Sequence, residues 1–137
     1  MRAVLLVLCA LFGLTLSMPS QAEWTKIVDS IDGQQVYYID YATVEKADGY
    51  VYAWSLRDVK PGVMPNEIRS MKVYEQYSCD IPRKSRWLLV HFYKSSMGEG
   101  VAASTVRDVQ EWVYHLPDTL ADAFLKNVCA FARAVLK

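Results

Sequence analysis

From residue 50 to residue 58 the chain alternates with a period of two. Tyr50, Tyr52, Trp54 and Leu56 fall on one face, and Val51, Ala53, Ser55 and Arg57 on the other. That period predicts a half-buried strand with its large residues on one side. Residues 68–79 repeat it, with Met71, Val73, Tyr77 and Cys79 on one face and Ser70, Lys72, Tyr74 and Gln76 on the other. Residues 85–95 are apolar on both faces through Trp87, Leu88, Leu89, Val90, Phe92 and Tyr93, as in a central strand covered on at least one side. Upstream, residues 24–29 and 35–40 flank Asp32-Gly33, a turn dipeptide, and predict a hairpin. Residues 41–46 read as a connector, and Asp48-Gly49 marks the next turn. Lys60-Pro61-Gly62 and Pro65-Asn66 break the pattern into a loop, Asp80 to Lys84 makes a tight basic turn, and residues 109–114 fit a last short strand.

After Pro117 the period changes. Leu120, Phe124, Val128, Phe131 or Ala132, and Val135 recur at three- and four-residue steps, the apolar stripe of an amphipathic helix of about five turns. Thr119 is placed to cap its first turn, with Asp122 reaching back three residues later. Lys126, Arg133 and Lys137 lie toward the C-terminal half, where the helix dipole favours cations. Strands followed by one helix predict an α+β domain: an antiparallel β-sheet of about five or six strands with a C-terminal α-helix packed on a face. The second face is expected to be open to solvent and rich in aromatic residues.

The N-terminus does not belong to that pattern. Met1-Arg2 is a short basic region, residues 3–16 are almost wholly apolar, and Ser20 and Ala22 have the size and spacing of a signal-peptidase site. Residues 1–22 are therefore read as a cleaved signal peptide and residues 23–137 as one exported domain, periplasmic, secreted or at the cell surface. An apolar run of about 14 residues falls short of the roughly 20 that span a bilayer. Leu6-Val7-Leu8-Cys9 lacks the small residue that precedes a lipidated cysteine, so no stable membrane anchor is expected. Removing residues 1–22 takes away Arg2 and leaves one acidic residue in excess. That balance argues against nucleic acid or an anionic membrane as partner. Cys79 and Cys129 remain, and in an oxidising compartment they have only each other to pair with.

Little in the sequence carries chemistry. The two histidines, His91 and His115, form no H-x-x-x-H pattern, and no C-x-x-C accompanies them, so no metal is expected. His91 alternates with apolar strand residues and reads as structural. No G-x-S-x-G elbow is present. Met97-Gly98-Glu99-Gly100 follows a strand without opening a helix, and reads as a flexible loop rather than a phosphate cradle. The chain is read as non-enzymatic and without a cofactor. Nine tyrosines, Tyr52 and Tyr74 among them, stand beside a basic cluster of Arg83, Lys84 and Arg86. Aromatic surface next to cations suits a protein partner.

Taken in order, several segments resemble the surface-adhesin protein E family of Gram-negative bacteria. They are Trp24, Asp32-Gly33, Tyr37-Tyr38-Ile39-Asp40, Trp54-Ser55-Leu56-Arg57-Asp58, Ser70-Met71-Lys72, Arg83-Lys84-Ser85-Arg86, Tyr93, Met97-Gly98-Glu99-Gly100, Trp112 and Cys129. The resemblance implies an antiparallel sheet whose C-terminal helix is held by a Cys79–Cys129 bridge. It implies adhesion to host extracellular-matrix or serum proteins, with self-association into a homodimer as a further expectation. The family's lipid-anchored adhesin differs from this chain, which carries no lipobox. A soluble periplasmic protein with an envelope partner is the alternative reading.

Overall fold

In the computed structural model, residues 21–136 are described. All but the last two residues of the predicted signal peptide, residues 1–22, lie outside them.

The predicted hairpin is formed by β1 (Thr25–Asp29) and β2 (Gln35–Ile39), which pair antiparallel. The Asp32 carboxylate holds the turn between them, accepting the Ser30 hydroxyl at 2.6 Å and the Gln34 amide at 3.0 Å. The expected connector at 41–46 is only partly a connector. A 3-10 turn at Tyr41–Thr43 leads into β3 (Glu45–Ala47), which pairs with β4 (Tyr50–Val59) across Asp48-Gly49. Both turn residues have positive φ, 52° and 81°, the mirror-image geometry that matches strand twist and that aspartate and glycine tolerate.

Next come β5 (Ser70–Ser78), β6 (Lys84–Tyr93), β7 (Ser104–Val106), β8 (Val113–Tyr114) and the helix α1 (Leu120–Val135). The strands form one antiparallel sheet in the order β1-β2-β4-β5-β6-β7, with β3 on β4 and β8 on β6. The centre is therefore β4 and β5. The apolar β6 lies one place further out, bordered by the short β7 and β8. The predicted strand at 109–114 shrinks to its last part, and β7 had no sequence signal, because Ser104–Val106 is three exposed residues.

Alternation in β4 decides where the helix lies. Val51, Ala53 and Ser55 face α1, and Tyr50, Tyr52 and Trp54 face away. Small side chains let the helix approach closely, so Phe124, Leu125, Val128, Cys129 and Ala132 pack on Ile39, Val51, Ala53 and Tyr77. The packed stripe differs from the expected one. Leu125 and Cys129 are buried, whereas Val135 is 57% exposed. The Cys79–Cys129 disulfide, with Cα atoms 5.7 Å apart, fixes which side of the helix turns toward the sheet. Thr119 caps the Asp122 amide at 3.2 Å as predicted, but Asp122 reaches back to the amide of Asp118 rather than of Thr119. A second apolar cluster, Met71, Val73 and Val90, occupies the same side of the sheet beyond the helix, where Met64 and Trp87 pack against it.

The opposite face is not wholly open. The glycine-rich segment expected to be flexible docks on it: Met97 donates its amide to Asp58 at 2.8 Å, and Gly98 donates its amide to the Ser70 hydroxyl at 2.8 Å. Gly98 lies against the Lys72 side chain so closely that a Cβ there would collide with it. This loop covers the Asp58 end of the face, and the aromatic end is left bare.

The bridge closes a span of 50 residues. In the chain-entropy description such a closure contributes about 4 kcal/mol. Urea denaturation of a Cys79→Ala/Cys129→Ala variant is expected to show a loss of that order, with the variant still folding to the same far-UV spectrum. A loss below about 1 kcal/mol would mean that the bridge does not hold the helix.

Candidate functional site

The register brings four of the five residues singled out as a binding surface onto one patch. Tyr52 faces Gln76 and Trp54 faces Tyr74 across β4–β5, while Gln76 faces Arg86 and Ser78 faces Lys84 across β5–β6. Tyr52, Tyr74, Lys84 and Arg86 thus share the face opposite the helix. Arg83 does not join them. Its guanidinium points to Asp122 of α1 at 3.5 Å, and is 21% exposed. Lys126 completes that cluster at 2.9 Å from Asp122. The hydrogen bond and charge of Lys126, aided by Arg83 and the Asp118 amide, hold the Asp122 carboxyl below the usual carboxylate range.

The patch is organised by polar links beneath aromatic rings. Gln76 is buried; it donates to the Tyr52 hydroxyl at 2.9 Å and accepts from Arg86 Nε at 2.7 Å. Tyr74 donates to Glu45 at 3.0 Å, and burial together with that carboxylate raises its phenol above the ordinary value. Tyr52, Tyr74, Trp54 and His91 form a continuous series of ring contacts, with centroids 6.1, 5.3 and 5.8 Å apart. His91 is thereby half-buried in the sheet surface and bonded to Thr105, the structural role expected of it.

Three further members were not singled out as binding residues, although Tyr50 was placed on the face of Tyr52: Trp112, Tyr50 and Tyr114. Trp112 stacks on Tyr50 with centroids 5.4 Å apart. Arg86 and Lys84 lie 4.6 and 4.8 Å from the Trp112 ring, and Lys84 is 5.5 Å from that of Tyr114. Trp112, just before β8, and Tyr114 on it are two apart and both contact Lys84, a signal present in the sequence but masked by the shortness of the strand. Ring faces hold the cations in place, and apart from the Arg86 Nε–H given to Gln76 their N–H groups are left for a partner.

A different polar group lies on the helix side. Ser85 donates to Glu75 at 2.6 Å and contacts His115 Nε2 at 2.8 Å, and Tyr77 donates to the other Glu75 oxygen at 3.1 Å. A nucleophilic serine gives its proton to histidine. Here Ser85 donates to Glu75, and the imidazole tautomer sets which partner donates across the Ser85–His115 contact. Burial, reinforced by the charge of Arg57, pushes His115 below its ordinary value, with Glu75 and Asp122 opposing. Burial, with the neighbouring Glu75, pushes the Tyr77 phenol well up. Among the described residues no group of three or more histidine, cysteine, aspartate or glutamate side chains is placed to hold a metal. No described helix is long and apolar enough to cross a membrane.

Replacing Gln76 by leucine strands the Tyr52 hydroxyl and Arg86 Nε, and is expected to cost about 1–3 kcal/mol in urea denaturation; an unchanged midpoint would show that the link carries no weight. His115 gives a pH dependence. Its folded value lies below its unfolded one, so the unfolded chain takes up the proton first as pH falls below about 6.5. Stability should therefore decline from pH 7 toward pH 5, levelling once pH passes the folded value, and His115→Gln should flatten that decline. An equal slope in the variant would remove His115 as its source.

Comparison with known proteins adds a lineage. The sequence profile described as surface-adhesin protein E matches residues 24–130. A crystal structure of protein E from non-typeable Haemophilus influenzae superimposes with TM-score 0.58 at 17% identity, covering 89% of this chain and 85% of that one. Another structure of Haemophilus influenzae protein E gives TM-score 0.59 at 17% identity, over 90% and 96% of the two chains. Crystal form II of the same protein gives 0.58 at 18%, over 85% and 94%. At such identities the structural likeness speaks for the fold. No curated protein matches in sequence.

Proposed function

The chain belongs to the surface-adhesin protein E family, and from that premise we propose that it is an exported, non-enzymatic binding module that grips a protein partner with the face opposite its helix. The observation that carries this reading is the joint presentation of aromatic rings and ring-held cations on a sheet surface that the chain's own helix leaves free. Trp112, Tyr50, Tyr52 and Tyr74 supply stiff apolar area, and Lys84 and Arg86 supply donors 4.8 and 4.6 Å from the Trp112 ring. Tyrosine, tryptophan and arginine are the residues that dominate binding hot spots. Host extracellular-matrix or serum proteins are the partners proposed. Arg83 serves the site indirectly, by tying the start of β6 to Asp122.

Surface-plasmon measurements with the disulfide-bonded domain and immobilised matrix and serum proteins test the reading. Saturable binding is expected, weakened at least about tenfold by Lys84→Ala with Arg86→Ala. Saturable binding that the double substitution leaves intact would move the contact elsewhere. Saturable binding to envelope proteins of the bacterium alone would replace the host partner with an envelope one.

A further inference from the structure

A cavity of about 390 Å³ opens on the helix side of the sheet, beside the start of α1 and the segment leading into β8. That lies within the roughly 300–1,000 Å³ typical of small-molecule sites. Tyr37 and Trp87 form aromatic wall, Arg57, Glu75, Ser85 and His115 are polar groups of the lining, and Arg86, Gln110 and Glu111 complete its polar part.

Arg57 is the group there without a use. Its guanidinium lies 4.7 Å from the Tyr37 ring centroid and 4.8 Å from that of Trp87, held by both rings. Among the described residues it makes no ion pair. Its Nε is buried with no acceptor. Glu75, on the same wall, does not serve it: one carboxyl oxygen accepts Tyr77 and the other accepts Ser85. A buried N–H without an acceptor is costly, and the fork of a guanidinium matches a planar carboxylate with two parallel bonds. Ring contacts restrict its rotamers in advance, which lowers the entropy lost on binding.

We propose that this cavity binds a small organic monocarboxylate, its carboxylate on Arg57 and its apolar body along Trp87 toward Val113 and Ala121. Of the two arginines in the lining, Arg86 is engaged by Gln76 and the Trp112 ring, which leaves Arg57 alone for a single negative charge; a phosphate dianion would face both Glu75 and Glu111. The wall is predominantly apolar carbon, so the ligand carries an aromatic or branched body rather than hydroxyl groups. The cavity and the aromatic face lie on opposite sides of the sheet and share Arg86 alone among the residues named for each.

Calorimetric titration of the disulfide-bonded protein with 3-phenylpropionate, 3-phenylpropionamide and acetate tests it. Saturable binding of 3-phenylpropionate is expected, with the amide and acetate each at least about tenfold weaker, since the first lacks the charge and the second the body. Arg57→Met should abolish the heat of binding. Val113→Trp, which fills the mouth without touching Arg57, should do the same if Arg57→Met fails to fold, and Lys94→Ala should bind as the wild type does. No saturation by 3-phenylpropionate overturns the proposal. So does equal binding of acid and amide, or binding that survives both Arg57→Met and Val113→Trp.

Discussion

One covalent bond and one row of small side chains decide which side of this sheet is covered. Ala53 and Ser55 leave room on β4, and the bond from Cys79 to Cys129 locks the helix into that room with Phe124, Val128 and Ala132 turned downward. A helix that could roll would sample other faces of itself against the sheet. Bonded at the end of β5, it has one rotation. The cost of ordering the C-terminal segment is met partly in the unfolded chain, which the bridge constrains, and partly by apolar burial across the interface.

The same alternation that seats the helix sends every large ring of β4 to the opposite side. Tyr50, Tyr52 and Trp54 cannot be buried by α1, and their neighbours across the ladder, Tyr74 and Gln76, build a surface tied together from beneath. Polar links among Tyr52, Gln76 and Arg86 fix the rings and cations in one arrangement before any partner arrives. A surface so ordered loses less side-chain freedom on binding than a loose patch of equal area. The fold and the proposed recognition face are in this sense two consequences of one pattern of large and small residues.

Much of this was legible along the chain, for physical reasons. β4 and β5 have strict periodicity, the hairpin has Asp32-Gly33, and the helix has a stripe and a capping threonine. The cysteines needed no geometry, because with Cys9 assigned to the predicted signal peptide only one pairing is left. Other features depend on contacts that no local pattern encodes. β7 is three exposed residues with no apolar signal, paired only because β6 offers an edge. The loop at Met97 and Gly98 reads as mobile because its partners, Asp58 and Ser70, are distant in sequence. Arg83 looks like its basic neighbours, yet just ahead of β6 it turns toward Asp122 while Lys84 and Arg86 point to the aromatic face. The Glu75–Ser85–His115 cluster joins three segments, and no spacing rule could have assembled it.

Hydroxyl-radical footprinting of the disulfide-bonded protein, alone and with a saturating protein partner, tests the central claim most directly. The account predicts that Tyr52, Tyr74 and Trp112 are oxidised in the free protein and protected in the complex, while Tyr77 and Phe124 stay protected in both. Rapid oxidation of Tyr77 and Phe124 in the free protein, or a partner that shields the outer surface of α1 and leaves Trp112 reactive, would contradict it.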